Sequence, residues 1–190
     1  EILFASFIEL CPAMIFCDTL HHDEAIIACN VIKYASYRGY GFSVCFDECK
    51  LFSFNDCKGF NVIAMDAMDF SASYEDSFSL QIQRCNLERE LGKLVAGYSC
   101  FHDITIDTGN WGCGAFGGNK YIKATLQMIA ATITGNRLSF CCFSDDSFFQ
   151  AFSSFLERLP LSVEYLWSSL LSIDPNSTDY TFESAYISNS

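Results

Sequence analysis

Along this chain, short apolar bursts alternate with stretches of helical spacing. The bursts Ala25–Cys29, Asn61–Asp66, Ile104–Thr108 and Leu138–Phe143 have the length of strands, and unbroken apolar runs suit strands covered on both faces. Leu87, Leu91, Leu94, Val95 and Tyr98 fall at i, i+4, i+7, i+8 and i+11, which predicts a helix with Arg and Glu on its other side. A second helix is predicted where Leu126, Ile129, Ala130 and Ile133 recur at i, i+3, i+4 and i+7, opposite Lys120, Lys123 and Gln127. Gly135-Asn136 supplies its C-terminal cap. Ser147–Leu159 and Val163–Leu171 are further helices, parted by Pro160, and Asp145-Asp146 caps the first of them at Ser147. Strands alternating with helices predict an α/β fold with a mixed or parallel sheet. Asp47–Gly59 reads as a loose segment. The breaker DPNST at Asp174 divides a folded portion, 1–173, from a tail, 174–190, expected to be loosely ordered.

Composition narrows the function. At 190 residues, 51% of them hydrophobic, the chain is long enough to bury a core, and the length suits one domain. No run approaches the ~20 apolar residues of a membrane span. Glu1-Ile2-Leu3 opens the chain with no Met and no basic region, so no signal peptide is visible and the sequence reads as a fragment. A formal charge of −12 with scattered Lys and Arg argues against direct nucleic-acid binding; a polyanion would have to be held locally, by backbone amides and a few side chains. The 11 cysteines include no CxxC pair, and the only histidines are His21, His22 and His102. Free, mostly buried intracellular thiols are therefore expected, with no metal and no cofactor. His21-His22-Asp23-Glu24 reads as a solvated turn, because adjacent histidines do not readily share a ligand face.

One stretch concentrates candidate chemistry. DTGNWGCGAFGGNKYIKA, Asp107–Ala124, runs from a strand through the glycine-rich loop Gly109–Gly118 into a helix. In open α/β sheets ligands gather at the carboxyl ends of strands. Gly112, Gly114, Gly117 and Gly118 let the backbone turn and approach a ligand, and successive amides ahead of a helix start form an anion-holding concavity. No GK[ST] follows, and the register is wrong for GxGxxG. The residues alone leave two readings, a phosphate or diphosphate site and a tight turn needed for packing. Trp111 and Phe116 are likewise either aromatic walls of a nucleotide site or core filling. Cys113 has no His base near it in sequence, so its side chain reads as packing rather than as a nucleophile.

The run Thr108-Gly-Asn-Trp-Gly-Cys-Gly-Ala-Phe-Gly-Gly118 resembles, residue for residue, the diphosphate-binding loop of poly(ADP-ribose) glycohydrolases. Tyr34-Ala-Ser-Tyr37-Arg-Gly-Tyr40, Ile63-Ala-Met-Asp-Ala67 and Arg89-Glu-Leu-Gly-Lys93 resemble, in order, the family's tyrosine-rich segment, a buried strand and the helix after it. The resemblance implies a macrodomain-like α/β fold, a mixed sheet flanked by helices and incomplete at its N-terminus. It implies cleavage of ribose–ribose bonds in poly(ADP-ribose) with release of ADP-ribose. The alternative class is a non-catalytic ADP-ribose-binding module. The substrate-binding positions it implies are Gly112, Cys113, Gly114, Ala115 and Phe116 around the diphosphate, with Asn110 beside them, Phe143 near the adenine and Tyr40 covering the ligand. Phe116 would also flank the distal ribose. Glu1 matches the last Glu of the family's Gly-Gly-Gly, spacer, Gln-Glu-Glu element and would be the acid/base, its carboxyl protonating the leaving oxygen and then activating water. The rest of that element precedes this sequence, so activity of the isolated chain is not implied. Asn119 stands where the family usually has Asp; either caps a helix. The implied partners are poly(ADP-ribose), ADP-ribose and poly(ADP-ribosyl)ated proteins, in the nucleus or cytoplasm and in the DNA damage response, with no membrane.

Overall fold

The computed structural model describes residues 2–39, 43–49, 59–71, 77–158 and 162–182. Glu1, Tyr40 and Pro160 lie outside the described residues, as do 50–58 of the segment expected to be loose. Its residues 47–49 belong instead to a strand. The chain divides into two compact units.

The first unit holds residues 1–21 and 25–64. It begins with α1 (Ile2–Ser6), a 3₁₀ turn and α2 (Ala13–Phe16). Four strands follow: β1 (Ile26–Val31), β2 (Ala35–Arg38), β3 (Cys45–Cys49) and β4 (Phe60–Ala64). β1 pairs antiparallel with β4, and β2 antiparallel with β3. The β1–β4 register shifts between Ala28 and Val31, where Asn30 takes a positive φ of 58° and its amide is received by the Asn61 side chain at 3.0 Å. Phe7, Leu10, Val31 and Val62 form a small core, closed by an edge-to-face contact of Phe7 with Phe60.

The second unit holds residues 22–24 and 65–190. Its elements are α3 (Ser77–Gln81), α4 (Arg84–Tyr98), β5 (Thr105–Thr108), α5 (Lys120–Thr134), β6 (Arg137–Phe140), α6 (Asp146–Glu157) and α7 (Val163–Leu171). β5 and β6 pair in parallel, Thr105 opposite Arg137 through Thr108 opposite Phe140, which requires a crossover; α5 is that crossover. Leu87, Leu94, Tyr98, Ile122, Leu126, Ile129 and Ala130 pack α4 against α5. A ring cluster of Phe148, Phe152, Phe155, Tyr121 and Phe182 closes the other side of α5. The architecture is α/β with both parallel and antiparallel pairing, as expected.

The caps follow from sequence. Asn119 caps α5, Asp145 caps α6 by accepting from the Phe148 amide, and Ser162 caps α7. Gly135 ends α5 in the left-handed region, and the Asn136 amide reaches back to the Ala131 carbonyl at 2.8 Å.

Other expectations are corrected. The strands are not covered on both faces: β5 and β6 each alternate exposed residues with covered ones, and β6 ends at Phe140, so Phe143 lies in the following turn. α5 has no solvated Lys123–Gln127 face, since both side chains are buried while Ile133 is half exposed. Glu90 and Lys93 on α4 are buried as well. All ten described cysteines are free, but none is buried and eight are exposed. Short helices and thin sheets leave little interior to receive them. Within residues 174–182, Tyr180 and Phe182 are buried. His21 through Glu24 form an exposed turn, and no group of three metal-ligating side chains occurs among the described residues. No described helix is long and apolar enough to cross a membrane.

Gly135→Ala tests the α5 cap. A Cβ at φ 71° would sit 2.5 Å from the His102 ring. A loss of about 1–2 kcal/mol in urea unfolding is expected from the backbone conformation alone, with the clash adding to it.

Candidate functional site

The glycine-rich loop leaves the carboxyl end of β5 and is braced internally. The Trp111 amide donates to the Gly109 carbonyl, Cys113 to Asn110, Gly117 to Gly114 and Gly118 to Gly112, at 2.8–3.1 Å. The Phe70 amide donates to the Phe116 carbonyl at 2.9 Å, and the Gln81 side chain donates to the Gly117 carbonyl at 3.2 Å. The amides of Gly114, Ala115 and Phe116 donate to no described group, and all three residues are exposed. Three successive donors without a described partner ahead of a helix start are the kind of groups that can receive an anion. Beside them, Asn110 holds a buried side-chain oxygen to which no described group donates.

The glycines divide between the two readings left open by sequence. At Gly112, φ is 74°, and a Cβ would lie 2.6 Å from the Ala67 methyl and 3.1 Å from the Lys123 ammonium. That glycine is required by packing and by backbone conformation. At Gly114 a Cβ would meet nothing within 4 Å. No described group there requires a glycine.

Beneath the loop lies a charged layer that sequence reading misplaced. Lys123, 2% exposed, contacts the Glu90 carboxylate and lies under Trp111, 4.5 Å from the ring centroid, and near Phe70 at 5.7 Å. The other Glu90 oxygen accepts from the Met68 amide at 2.9 Å and from Arg89 at 2.7 Å. Arg89 and Lys93 both bind Asp66, at 2.5 and 2.8 Å. Burial first, and the Arg89 charge second, pull the Lys123 ammonium below its usual range; the facing Glu90 carboxylate opposes that shift. Gln127, fully buried, accepts from Thr108 at 2.5 Å and Tyr98 at 3.3 Å and donates to the Gly109 carbonyl at 3.1 Å. The signal was in the spacing: Lys123 stands three before Leu126 and seven before Ala130, and Glu90 three after Leu87 and four before Leu94. Each belongs to its helix's apolar stripe.

Of the residues singled out by sequence, Asn110, Gly112, Cys113, Gly114, Ala115 and Phe116 come together in this loop. Phe143 joins them, its ring edge lying where a Cβ on Gly109 would be. Phe143 is 69% exposed, and both it and Ser144 have positive φ, 51° and 60°. The turn is held behind them by Asp145, which caps α6 and pairs with Lys120 at the start of α5. Lys120, more than the Phe148 amide, holds the Asp145 carboxyl well below the usual range. Cys113 points its sulfur at the Trp111 carbonyl, 3.6 Å away, and burial pushes its thiol up to about 12. That thiol is not a nucleophile at neutral pH. Glu1 and Tyr40, the proposed acid/base and ligand cover, lie outside the described residues.

Comparison with known proteins places the chain in a family. The family described as poly(ADP-ribose) glycohydrolase, macro domain fold, has a model that matches residues 1–150. Poly(ADP-ribose) glycohydrolase 1 of Caenorhabditis elegans is 32% identical over 173 residues, covering 84% of this chain and 22% of that protein. Poly(ADP-ribose) glycohydrolase 2 of the same organism is 30% identical over 159 residues, covering 76% of this chain and 33% of that protein. The chain belongs to the poly(ADP-ribose) glycohydrolase family, and it spans between a fifth and a third of the length of these relatives.

Two measurements check the site. Because burial raises the Cys113 thiol, iodoacetamide with peptide mapping at pH 8 should label exposed Cys85 and Cys100 well ahead of half-buried Cys113. Equal labelling would contradict its environment. Lys123→Met should cost about 1–3 kcal/mol, because it takes the partner from one Glu90 oxygen while Arg89 and the Met68 amide keep the other. In urea unfolding, Lys123→Met combined with Glu90→Leu should cost less than the sum of the two single changes.

Proposed function

We propose that this chain supplies the diphosphate-holding part of a poly(ADP-ribose) glycohydrolase and that Glu1 is its acid/base. The observation that carries the reading is the row of unpaired, exposed amides at Gly114, Ala115 and Phe116, in a member of this family. These donors receive the diphosphate oxygens. Asn110 offers its free acceptor to a ligand hydroxyl, and the open space at Gly114 admits the ligand to the backbone. Phe143 provides an exposed aromatic face for the adenine, Phe116 flanks the distal ribose and Tyr40 covers the ligand.

The Glu1 carboxyl donates its proton to the departing ribose oxygen as the anomeric carbon–oxygen bond breaks and positive charge develops on the sugar. The resulting carboxylate then takes a proton from water as the water oxygen adds to the anomeric carbon, which restores the acid and releases ADP-ribose. The substrates are poly(ADP-ribosyl)ated proteins. Free, exposed thiols suit a reducing compartment, and the nucleus or cytoplasm, in the response to DNA damage, is the proposed setting.

Release of ADP-ribose from poly(ADP-ribose) by this chain, run beside Glu1→Gln and Gly114→Val, tests the reading. Glu1→Gln should lower release at least about 100-fold with ADP-ribose binding kept. Gly114→Val should weaken binding itself. Undiminished release by Glu1→Gln would remove Glu1 from the chemistry, and binding without release by the parent chain would make it a binding module.

A further inference from the structure

Asn119 does more than cap a helix. Its side-chain oxygen accepts from the Tyr121 and Ile122 amides at 2.9 and 3.1 Å. Its own amide donates to Gln81 at 2.6 Å, and Gln81 in turn holds the Gly117 carbonyl of the loop. Its side-chain NH2 donates to the Asp179 carboxylate at 2.7 Å and to the Tyr180 carbonyl at 3.2 Å. An Asp at this position could accept the same two amides. It could not donate, and it would set a second carboxylate against Asp179.

The segment that Asn119 reaches is built to stay in place. Asp174 closes a turn by accepting from the Asn176 amide at 2.8 Å, and the Ser177 hydroxyl donates to the Asp179 carbonyl at 2.6 Å. Asp179 also accepts from the Tyr180 amide at 2.8 Å, which orients its carboxylate toward Asn119. Tyr180 and Phe182 are buried; Phe182 stacks on Phe155 at 4.4 Å and meets Tyr121, in the first turn of α5, edge-on at 5.0 Å. The first turn of α5 is therefore gripped through both Asn119 and Tyr121. All of this segment lies beyond the residues matched by the family model, which end at 150.

We propose that residues 174–182 form a strap that fixes the helix start from which the loop presents its open amides, with Asn119 as the positioning residue coupling strap to loop. The consequence for ligand binding rests on the diphosphate reading above; the coupling itself does not. In the full chain, hydrogen exchange at Gly117, Gly118, Tyr121 and Ile122 reads the coupling without ligand, and ADP-ribose titration reads its consequence.

Asn119→Asp should speed exchange at these amides roughly tenfold, since the coupling bonds are worth about the energy of one charge-assisted hydrogen bond, and should weaken ADP-ribose binding by a similar factor. Asp179→Ala, which leaves the cap untouched, should do the same. Asn119→Asp with Asp179→Asn should restore both, because the new amide at 179 donates back to the new carboxylate at 119. Parental exchange in both single variants, or a double variant that does not recover, overturns the strap. A parent chain that binds no ADP-ribose overturns the diphosphate reading and leaves the strap to be judged on exchange alone.

Discussion

A lysine ammonium buried beneath a glycine-rich turn is the constraint from which the geometry of the second unit follows. Lys123 satisfies its charge on Glu90 and rests its face against Trp111 and Phe70. Lys123 lines the floor of the loop together with Ala67 and the Gly112 carbonyl, and among them side chains at Gly112 and Gly118 have no room. Because Glu90 spends its other oxygen on the Met68 amide, the segment that follows is turned so that Phe70 meets the Phe116 carbonyl. Replacing such a pair with apolar groups is often neutral for stability. Its value here is geometric: one contact sets the spacing of α4, α5, the loop and residues 66–70.

The same layer addresses an apparent conflict between an acidic chain and an anionic ligand. The formal charge is −12, while beneath the loop Arg89, Lys93 and Lys123 stand beside Asp66 and Glu90. Local charge governs a site that excludes water, whereas net charge governs encounter at long range, where salt screens it. Glu90, Lys93 and Lys123 are buried there, so solvent screens their charges less than it would those of exposed side chains.

Much of this was legible in the sequence because it depends on local rules. The caps at Asn119, Asp145 and Gly135, the bounds of α7 and the loop itself require only residues a few positions apart. What was not legible depends on partners far along the chain. Spacing puts Lys123 on the apolar stripe of its helix, but that its charge and the Gln127 amide can be buried there becomes evident only once Glu90, Tyr98 and Thr108 are known to lie opposite them. Asn119 looks interchangeable with Asp until Asp179, sixty positions away, asks for a donor. The cysteines were misjudged for the opposite reason: their preference for burial is an average over proteins with deeper interiors than these units offer.

Phe143 shows how the structure separates packing from use. A large aromatic on a turn is ordinarily explained by the core it fills, yet Phe143 is 69% exposed, with its ring edge beside Gly109. Two successive residues without glycine's freedom, Phe143 and Ser144, sit in the left-handed region, each at a cost of roughly 1–2 kcal/mol. Such a turn persists only when its surroundings enforce it, and here they do, through the Asp145 cap and its pairing with Lys120. That pairing fixes the turn, and with it the exposed position of the Phe143 ring beside the glycine-rich loop.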